Sequence, residues 1–335
     1  MSGLTASATN QGPFVTSGRA KHSRSQSSEH GPTATPWERS RICTHGFVAG
    51  GYKNAAPWRN VNRTEHNNDT STNLGDKMND AGSYIDGAFS DLHMYCYGTD
   101  NSFSGWSSRV WSMQMSNESN RGNQSGMNVS RNDMGCMIDY HYMGAHIYIS
   151  GGGNSTTDRT NMKNDSNATT NGFGSGGDYT AGTQGRLRGY MKTGGTAQYM
   201  TWANESWSTW SNSPGTNGWG KACGSWMGHF YMKTGGNCVT GLAKCNDDTG
   251  ANISTFNVQN SGEENYQQGN FKGYCLGHYN GSQNNNSYKF STTSDTYSSG
   301  GGGMEPKGHN GMSSAGNASA FSFNNSSYGI TPPSY

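Results

Sequence analysis

The residues that could perform catalysis do not fall into a known catalytic pattern. The 335 residues include 22 Asp and Glu and ten His, and these are scattered along the chain. The sequence contains no HExxH zinc motif, no GxSxG nucleophile motif and no P-loop. It also shows no carboxylate pair at a spacing that suggests glycoside cleavage. The sequence therefore predicts a non-enzymatic protein with no catalytic residue and no cofactor.

Two short polar stretches offer oxygen ligands of the kind that calcium prefers. They are Asp247-Asp248-Thr249-Gly250 and Asp100-Asn101-Ser102. Neither has the alternating acidic positions of a calcium-binding loop, whereas both have the residues that favour chain reversal. We predict turns at both places and no metal site.

Tryptophans are crowded into one polar region of 25 residues. Trp side chains between Asn, Ser and Gly could stack on sugar rings while the polar neighbours bind the hydroxyl groups. The alternative is that the rings fill the core between repeats. The candidate glycan-contacting residues are Trp202, Trp207, Trp210, Trp219 and Trp226.

The seven cysteines are an odd number and contain no CxxC pair. Cys96 and Cys275 lie inside apolar stretches, which favours buried free thiols over disulfides or metal ligands.

One short sequence motif, which we call the phrase, recurs along the chain. The strands that it predicts would position the residues named above. A run of aromatic and β-branched residues is followed by one or more glycines, as in His229-Phe230-Tyr231-Met232-Lys233-Thr234-Gly235-Gly236. Copies with a roughly 41- to 54-residue spacing indicate a repeat fold. The apolar run predicts a β-strand, and the glycines predict a sharp turn where the chain leaves that strand. The clearest copies contain His45–Gly51, His146–Gly153 and Gly189–Gly195, weaker copies begin at Tyr95 and Tyr274, and a faint one lies at Phe321–Asn324. The glycines assigned to strand exits are Gly50, Gly51, Gly151, Gly152, Gly194, Gly195, Gly235 and Gly236.

Composition supports an all-β class. Leu, Ile, Val and Phe together number only 31, but 18 Tyr, 9 Trp and 16 Met supply large apolar side chains. Gly, Asn, Ser and Thr favour turns and strands over helix interiors. We predict a kelch-like β-propeller of about six or seven blades, with a β-solenoid or a β-sandwich array as alternatives.

Domain boundaries follow from the change in aromatic density. Residues 1–40 are predicted to form a flexible N-terminal arm, residues 41–330 the repeat domain and residues 331–335 an extended tail. Within the repeat domain, Asn73–Met78 suggests a short helical turn. Partner strands are predicted at Val110–Met115 and after each later Gly pair, the first of them at Thr160–Lys163.

Several phrases resemble virion structural proteins of tailed cyanobacterial phages, which carry kelch-like repeats. The phrases are Gly46–Asn54, Pro57–Asn62, Asn73–Asp76, Gly262–Gln267 and Gly273–Gly277. This resemblance implies a non-enzymatic structural protein of the virion, in a tail, neck or head appendage or decoration, assembled in multiple copies. It also implies other virion proteins as partners. A host-receptor or glycan-binding adhesin that contacts host surface polysaccharide is the alternative.

The net charge of +1 argues against a nucleic-acid partner. No run of about 18 apolar residues occurs, so we expect no membrane insertion.

Overall fold

A computed structural model describes residues 45–299, with gaps at 54–55, 67, 83–84, 90–92, 100–105, 140–145, 175, 178–179, 186, 216–221, 227–228, 235–238, 262–264, 269–271 and 280–282. The predicted arm at 1–40, the tail at 331–335 and the faint phrase at Phe321–Asn324 lie outside the described residues. The predicted repeat domain at 41–330 is described over its central part.

The described residues form strands, turns and bends without any helix, so the predicted all-β class is confirmed for them. Strands β1 to β25 build six principal antiparallel sheets and one short two-stranded sheet. Sheet 1 contains β1 (His45–Ala49), β4 (Asn60–Glu65) and β5 (Thr70–Asp76), and the short sheet pairs β2 (Tyr52–Lys53) with β3 (Ala56–Pro57). Sheet 2 contains β6 (Asp86–Phe89), β7 (His93–Tyr97), β8 (Val110–Gln114) and β9 (Ser119–Asn123). Sheet 3 contains β10 (Met134–Asp139), β11 (His146–Gly151), β12 (Asn154–Asn161) and β13 (Asn167–Thr170).

The other three sheets repeat the arrangement of sheets 2 and 3. Sheet 4 contains β14 (Ala181–Gln184), β15 (Arg188–Lys192), β16 (Ala197–Thr201) and β17 (Ser206–Thr209). Sheet 5 contains β18 (Ala222–Trp226), β19 (His229–Lys233), β20 (Val239–Asn246) and β21 (Asn252–Ser261). Sheet 6 contains β22 (Asn265–Gln268), β23 (Lys272–Tyr279), β24 (Gln283–Ser291) and β25 (Tyr297–Ser299). In sheets 2 to 6, consecutive strands pair with one another, so each sheet is a simple meander.

The recurring sequence phrase forms the strands that we call phrase strands: β1, β7, β11, β15, β19 and β23. In β7, β11, β15 and β19 the first residue is partly exposed and all later residues are buried. Both faces of these strands are therefore covered, which explains why their sequences are continuous apolar runs rather than alternating ones. The outer strands β9 and β13 are largely exposed and consist of Ser, Asn, Thr and other small or polar residues.

Neighbouring sheets pack through their first strands and through shared apolar clusters. β6 contacts β10, β10 contacts β14, β14 contacts β18 and β18 contacts β22. A large cluster that includes Phe47, Trp111 and Ile149 joins sheets 1, 2 and 3. Sheet 6 also reaches sheet 1, because β22 contacts β1 and Val48 packs with Tyr274.

The glycines that follow the phrase strands differ in backbone conformation and in the space around them. Gly50 and Gly51 have φ values of 73° and 123°, and Gly151 and Gly152 have values of 77° and 63°. A side chain at Gly50 would also place its Cβ 2.8 Å from the Gly82 carbonyl oxygen. Gly194 and Gly195 lie in open space, in a turn where the Thr193 N–H donates to the Thr196 carbonyl. Gly235 and Gly236 lie outside the described residues.

Two local predictions are wrong. The suggested helical turn at Asn73–Met78 overlaps β5, because pairing with β4 determines the conformation up to Asp76. The partner strand predicted at Thr160–Lys163 runs from Asn154 to Asn161, and the residues after it form a turn. In both cases the pairing of two strands decides the element, and local residue preference does not.

Candidate functional site

The turns between the third and fourth strands of sheets 2, 3, 4 and 6, and the turn between β4 and β5, carry a recurring tripeptide. An Asn or Ser is followed by an acid and then by Ser or Thr. The acids are Asp69, Glu118, Asp165, Glu205 and Asp295, and their φ values lie between 53° and 59°. Such positive values are unusual for residues other than glycine. A repeated, unusual backbone conformation indicates that the acids are held there by specific contacts.

The preceding Asn supplies one of these contacts. The Oδ1 atom of Asn164 accepts hydrogen bonds from the N–H and the hydroxyl of Ser166, at 3.2 and 2.7 Å. The same pair of bonds joins Asn204 to Ser206 and Asn68 to Thr70. These Asx turns explain the Asn-x-Ser/Thr tripeptides of the sequence as conformational elements.

Three of these acids, Asp165, Glu205 and Asp295, reach the preceding sheet in the chain, where a tyrosine hydroxyl meets each carboxylate. Between sheets 2 and 3, the Tyr95 hydroxyl donates to Asp165 Oδ1 at 2.7 Å. Arg121 Nη2 donates to the other carboxylate oxygen, also at 2.7 Å. Arg121 Nη1 donates to Ser112 Oγ at 3.0 Å, which fixes the guanidinium on its own sheet. We call such an arrangement of turn acid, tyrosine and cation an intersheet joint.

The joint between sheets 3 and 4 has the same composition. The Tyr148 hydroxyl donates to Glu205 Oε1 at 3.0 Å, and Arg159 binds the same oxygen. Thr170 donates to Glu205 Oε2. Trp202, from the turn that holds Glu205, stacks on Tyr148 with ring centroids 5.4 Å apart.

The joint between sheets 5 and 6 uses lysine as its cation. The Tyr231 hydroxyl lies 3.1 Å from Asp295 Oδ1, and Lys244 Nζ lies 3.1 Å from both carboxylate oxygens.

The same arrangement connects sheet 6 to sheet 1. The Tyr274 hydroxyl donates to Asp69 Oδ1 at 2.8 Å. Lys272 Nζ lies 2.9 and 3.2 Å from the two oxygens, and Lys289 binds Oδ2. The acid belongs to the first sheet of the chain, and its partners belong to the last.

Two joints lack one component. Between sheets 1 and 2, Phe47 occupies the tyrosine position, and Arg63 alone binds Glu118. Between sheets 4 and 5, Gly250 occupies the acid position with φ 70°, and the Tyr190 hydroxyl donates to the main-chain oxygen of Asp247 at 3.1 Å. Sheet 5 nevertheless stays in contact with sheet 4, because the Asp247 carbonyl accepts the hydrogen bond that a turn carboxylate accepts in other joints.

The joints shift the pKa values of their members. Burial alone would raise the pKa of Asp165, but hydrogen bonds from Arg121 and Tyr95 outweigh it and hold the pKa below its usual value. Asp69 and Glu205 behave in the same way, with their pKa lowered by bonds from their lysine, arginine, tyrosine and threonine partners. The pKa values of Tyr95 and Tyr148 are raised, first by burial and then by the adjacent carboxylate, so both hydroxyls stay protonated donors.

Two histidines sit beside these joints. Burial lowers the pKa of His93, and the nearby Arg121 lowers it further. Burial and Arg159 have the same effect on His146. The neutral imidazole is thus the favoured form at both positions near neutral pH.

Each joint acid is already bonded to groups on the neighbouring sheet, so its chemistry is used for association between sheets. Within the described part of the chain, no group of three or more His, Cys, Asp or Glu side chains is placed to hold a metal ion. The described portion of Asp247–Gly250 is a turn in which Asn246 Oδ1 accepts from the N–H groups of Asp248 and Thr249. Asp100–Ser102 lies outside the described residues.

The tryptophans proposed for glycan contact occupy several environments. Trp202 is fully buried, and its Nε1–H donates to the Gly185 carbonyl at 3.1 Å. Trp210 is buried against Tyr190 and Phe230. Trp207 is partly buried, packs on Phe173 and donates to the Asn171 carbonyl at 2.8 Å. Trp202 and Trp210 therefore fill the space between sheets, the alternative that the sequence left open. Trp219 and the side chain of Trp226 lie outside the described residues.

Among the cysteines, Cys96, Cys136 and Cys245 are buried free thiols, as predicted. The other four cysteine side chains lie outside the described residues.

The sequence interpretation overlooked the tyrosines and turn acids as one recurring unit. The signal was present in the residues. Tyr95, Tyr148, Tyr190, Tyr231 and Tyr274 occupy one position of the phrase, and a His, Arg or Lys lies two residues before each of them. Superposing the repeats residue by residue would have found this pattern and the acid turns that follow it.

In a comparison with known protein families no family model matches the chain, and in a comparison with curated proteins no significant relative is found.

Over the described residues, no helix has the length and hydropathy needed to cross a membrane.

Proposed function

We propose that the six sheets are the blades of a closed, kelch-like β-propeller, and that this propeller is a rigid, non-enzymatic structural module of a phage particle. The observation that carries the proposal is the joint between sheets 6 and 1. Tyr274 and Asp69 repeat the contact that Tyr95 and Asp165 make between sheets 2 and 3. A solenoid or a linear array of sandwiches would keep its first and last units apart, whereas a propeller brings them together.

The contacts of the polar side chains support the structural part of the proposal. Turn acids, tyrosines and cations of successive sheets are bonded to one another, so these repeated groups stabilise the relative position of the sheets. A module fixed in this way suits many-contact association with neighbours, as a tail, neck or head appendage or decoration requires. The proposed partners are further copies of the chain and other virion proteins, and the proposed location is the virion.

A host-glycan adhesin is the second candidate, and Trp106 favours it. This ring is 48% exposed and lies against Gly153, where an added Cβ would come within 1.9 Å of the indole. An exposed indole held by a glycine turn suits stacking on a sugar ring. The burial of Trp202 and Trp210 excludes these two rings from a surface that stacks on glycans.

The structural proposal is tested with purified particles of the phage that encodes the chain. Quantitative mass spectrometry should find the chain in multiple copies per particle, and cryo-electron microscopy should locate a six-bladed disc at a fixed symmetric position. Particles that lack the chain would contradict the proposal.

The adhesin alternative is tested on host cells. A Trp106→Ala variant should bind them more weakly, whereas the matched variant Trp207→Phe should not. Equal binding by Trp106→Ala and the unmodified chain would remove the alternative.

A further inference from the structure

The joint between sheets 6 and 1 contains more positive charge than the other described joints. Asp69 binds two lysines, Lys272 and Lys289, which come from adjacent strands of sheet 6. Asp165, Glu205 and Asp295 are each paired with one cation in the described ion pairs: Arg121, Arg159 and Lys244, respectively. We call Asp69, Lys272, Tyr274 and Lys289 the clasp.

The clasp also differs in what else connects its two sheets. Every other pair of neighbouring sheets is consecutive in the chain, so a peptide segment limits their separation. The clasp joins residues 203 to 220 positions apart in sequence. If the clasp is broken, no short peptide connection between sheets 1 and 6 limits how far they separate, so the loss of contact is less readily reversed.

The groups around the clasp make its strength dependent on ionic conditions. Tyr274 stacks on His66 with centroids 4.8 Å apart, and its hydroxyl also lies 3.3 Å from the His66 carbonyl. Arg63 and Glu65 form an ion pair on the adjacent strand β4. The side chains of Lys272 and Lys289 are 38% and 25% exposed and that of Asp69 is 15% exposed, so salt ions reach the lysines and protons reach the carboxylate.

We propose that the clasp is the releasable closure of the ring: loss of the Asp69 charge separates sheet 1 from sheet 6 while the other joints hold. This inference rests on the closed propeller of the proposed function. Protonation of Asp69 removes the charge that both lysines bind, and leaves Lys272 and Lys289 to repel each other. The ring then opens at this joint before the chain unfolds.

The test compares Asp69→Asn with Asp165→Asn in the full chain. Both variants remove the charge of a turn acid and keep the shape of the side chain, but sheets 2 and 3 remain linked by the chain. Native-state hydrogen exchange should speed up by about ten- to a hundredfold in β1, β4 and β22–β24 of Asp69→Asn, with little change in sheets 3 and 4. Asp165→Asn should leave protection of β1 and β22 unchanged.

A second variant keeps the test valid if Asp69→Asn does not fold. Lys289→Met removes one of the two cations, so it should produce a smaller acceleration confined to the same strands. The same strands should also exchange faster when NaCl is raised from 0.1 to 1 M. Uniform acceleration across all sheets, or none in sheets 1 and 6, would overturn the clasp as the opening point.

Electron microscopy of the unmodified chain separates the two proposals. If electron microscopy shows a closed disc but hydrogen exchange in Asp69→Asn is unchanged, only the clasp proposal is refuted. An open or linear particle refutes the closed propeller, and the clasp proposal with it.

Discussion

Arg131 is a fully buried charged side chain, and it connects the segment before sheet 3 to that sheet. Its Nε and Nη2 atoms donate to Asp158 Oδ2 at 3.2 and 3.1 Å, and both side chains have no exposed surface. Its Nη1 atom donates to the Gly151 carbonyl at 2.8 Å and its Nη2 atom to the Thr156 carbonyl at 2.8 Å. One guanidinium thus holds the segment before sheet 3 against the hairpin between β11 and β12.

Replacing Arg131 by Ala should destabilise the protein strongly. The change leaves the Asp158 carboxylate buried without its cation, a situation that costs about 3–5 kcal/mol. Chemical denaturation monitored by tryptophan fluorescence measures the loss. Arg109→Ala is the control, because the Arg109 side chain is 53% exposed and its pair with Asp80 should contribute no more than about 1 kcal/mol. Equal midpoints for the two variants would contradict the assigned role of Arg131.

The sequence predicted the burial of a residue only where that residue lies in a run of apolar residues. The apolar phrase identified Tyr148 and Tyr231 as members of buried strands. It did not reveal their hydroxyl contacts, because the acceptors lie 57 and 64 residues away in sequence. Arg131 carries no local pattern, since a single Arg in a polar loop is most often exposed.

At the scale of elements, the turn before β21 departs from the others in a way that its surroundings explain. Gly250 takes the position of the turn acid, and an added Cβ would lie 2.5 Å from Tyr190 Cε1 and 2.6 Å from Trp210 Nε1. The Trp210 Nε1–H donates to the Gly250 carbonyl at 2.9 Å. The indole thus fills the space that the acid side chain occupies in the other joints.

Gly250→Asp should therefore destabilise the protein, although it restores the acid of the repeat. The new side chain must displace Trp210 from Tyr190, and such overpacking costs about 1–3 kcal/mol. The matched control is Glu118→Asp, which shortens an acid side chain in the equivalent turn and should be much milder. Thermal unfolding followed by circular dichroism measures both. A rise in melting temperature for Gly250→Asp would contradict this account.

Strand and turn positions were the most predictable elements. The partner strands at β8, β16 and β20 and the acid turns follow from alternating residues and from Asp, Asn, Ser and Thr. β5 was not predictable, because all of its residues except Leu74 are small or polar and its conformation depends on its pairing with β4. The Asx turns could have been anticipated from the repeated Asn-acid-Ser/Thr order, had the abundance of Asn not made it look accidental.

At the scale of the whole molecule, acid should lower the stability of the fold in two stages. His93 and His146 have lowered pKa values in the folded state, so the unfolded chain binds protons more readily and stability falls as the pH drops below about 6.5. Asp69, Asp165 and Glu205 also have lowered pKa values. Their contribution is present above about pH 4 and is lost as the pH falls through their folded-state pKa values.

Melting temperatures measured from pH 8 to pH 3 should decline in both ranges. His93→Gln should reduce the decline between pH 7 and 5 and leave the lower stage intact. Asp165→Asn should reduce the lower stage. A melting temperature that is constant from pH 8 to 5, or that rises on acidification, would refute the role assigned to the histidines.

The approximate number of repeat units could be predicted from the sequence, but the contacts between the sheets could not. Phrase spacing predicted about six or seven units, and six principal sheets are described. The contact between sheet 6 and sheet 1 depends on residues more than 200 positions apart, and a local pattern contains no information on it. The resemblance to virion proteins gave a function to test and no residue-level account of the joints.

Each described sheet from 2 to 6 contributes a hydroxyl donor toward one neighbour and a turn acceptor toward the other. A gene segment that encodes one such unit therefore carries both complementary halves, and its duplication adds a matched pair of contacts. Tyr190–Gly195 and Tyr231–Gly236 share the sequence Tyr-Met-Lys-Thr-Gly-Gly, as expected of duplicated units. Tandem gain or loss of single units would thus change the number of sheets without redesigning any contact between them.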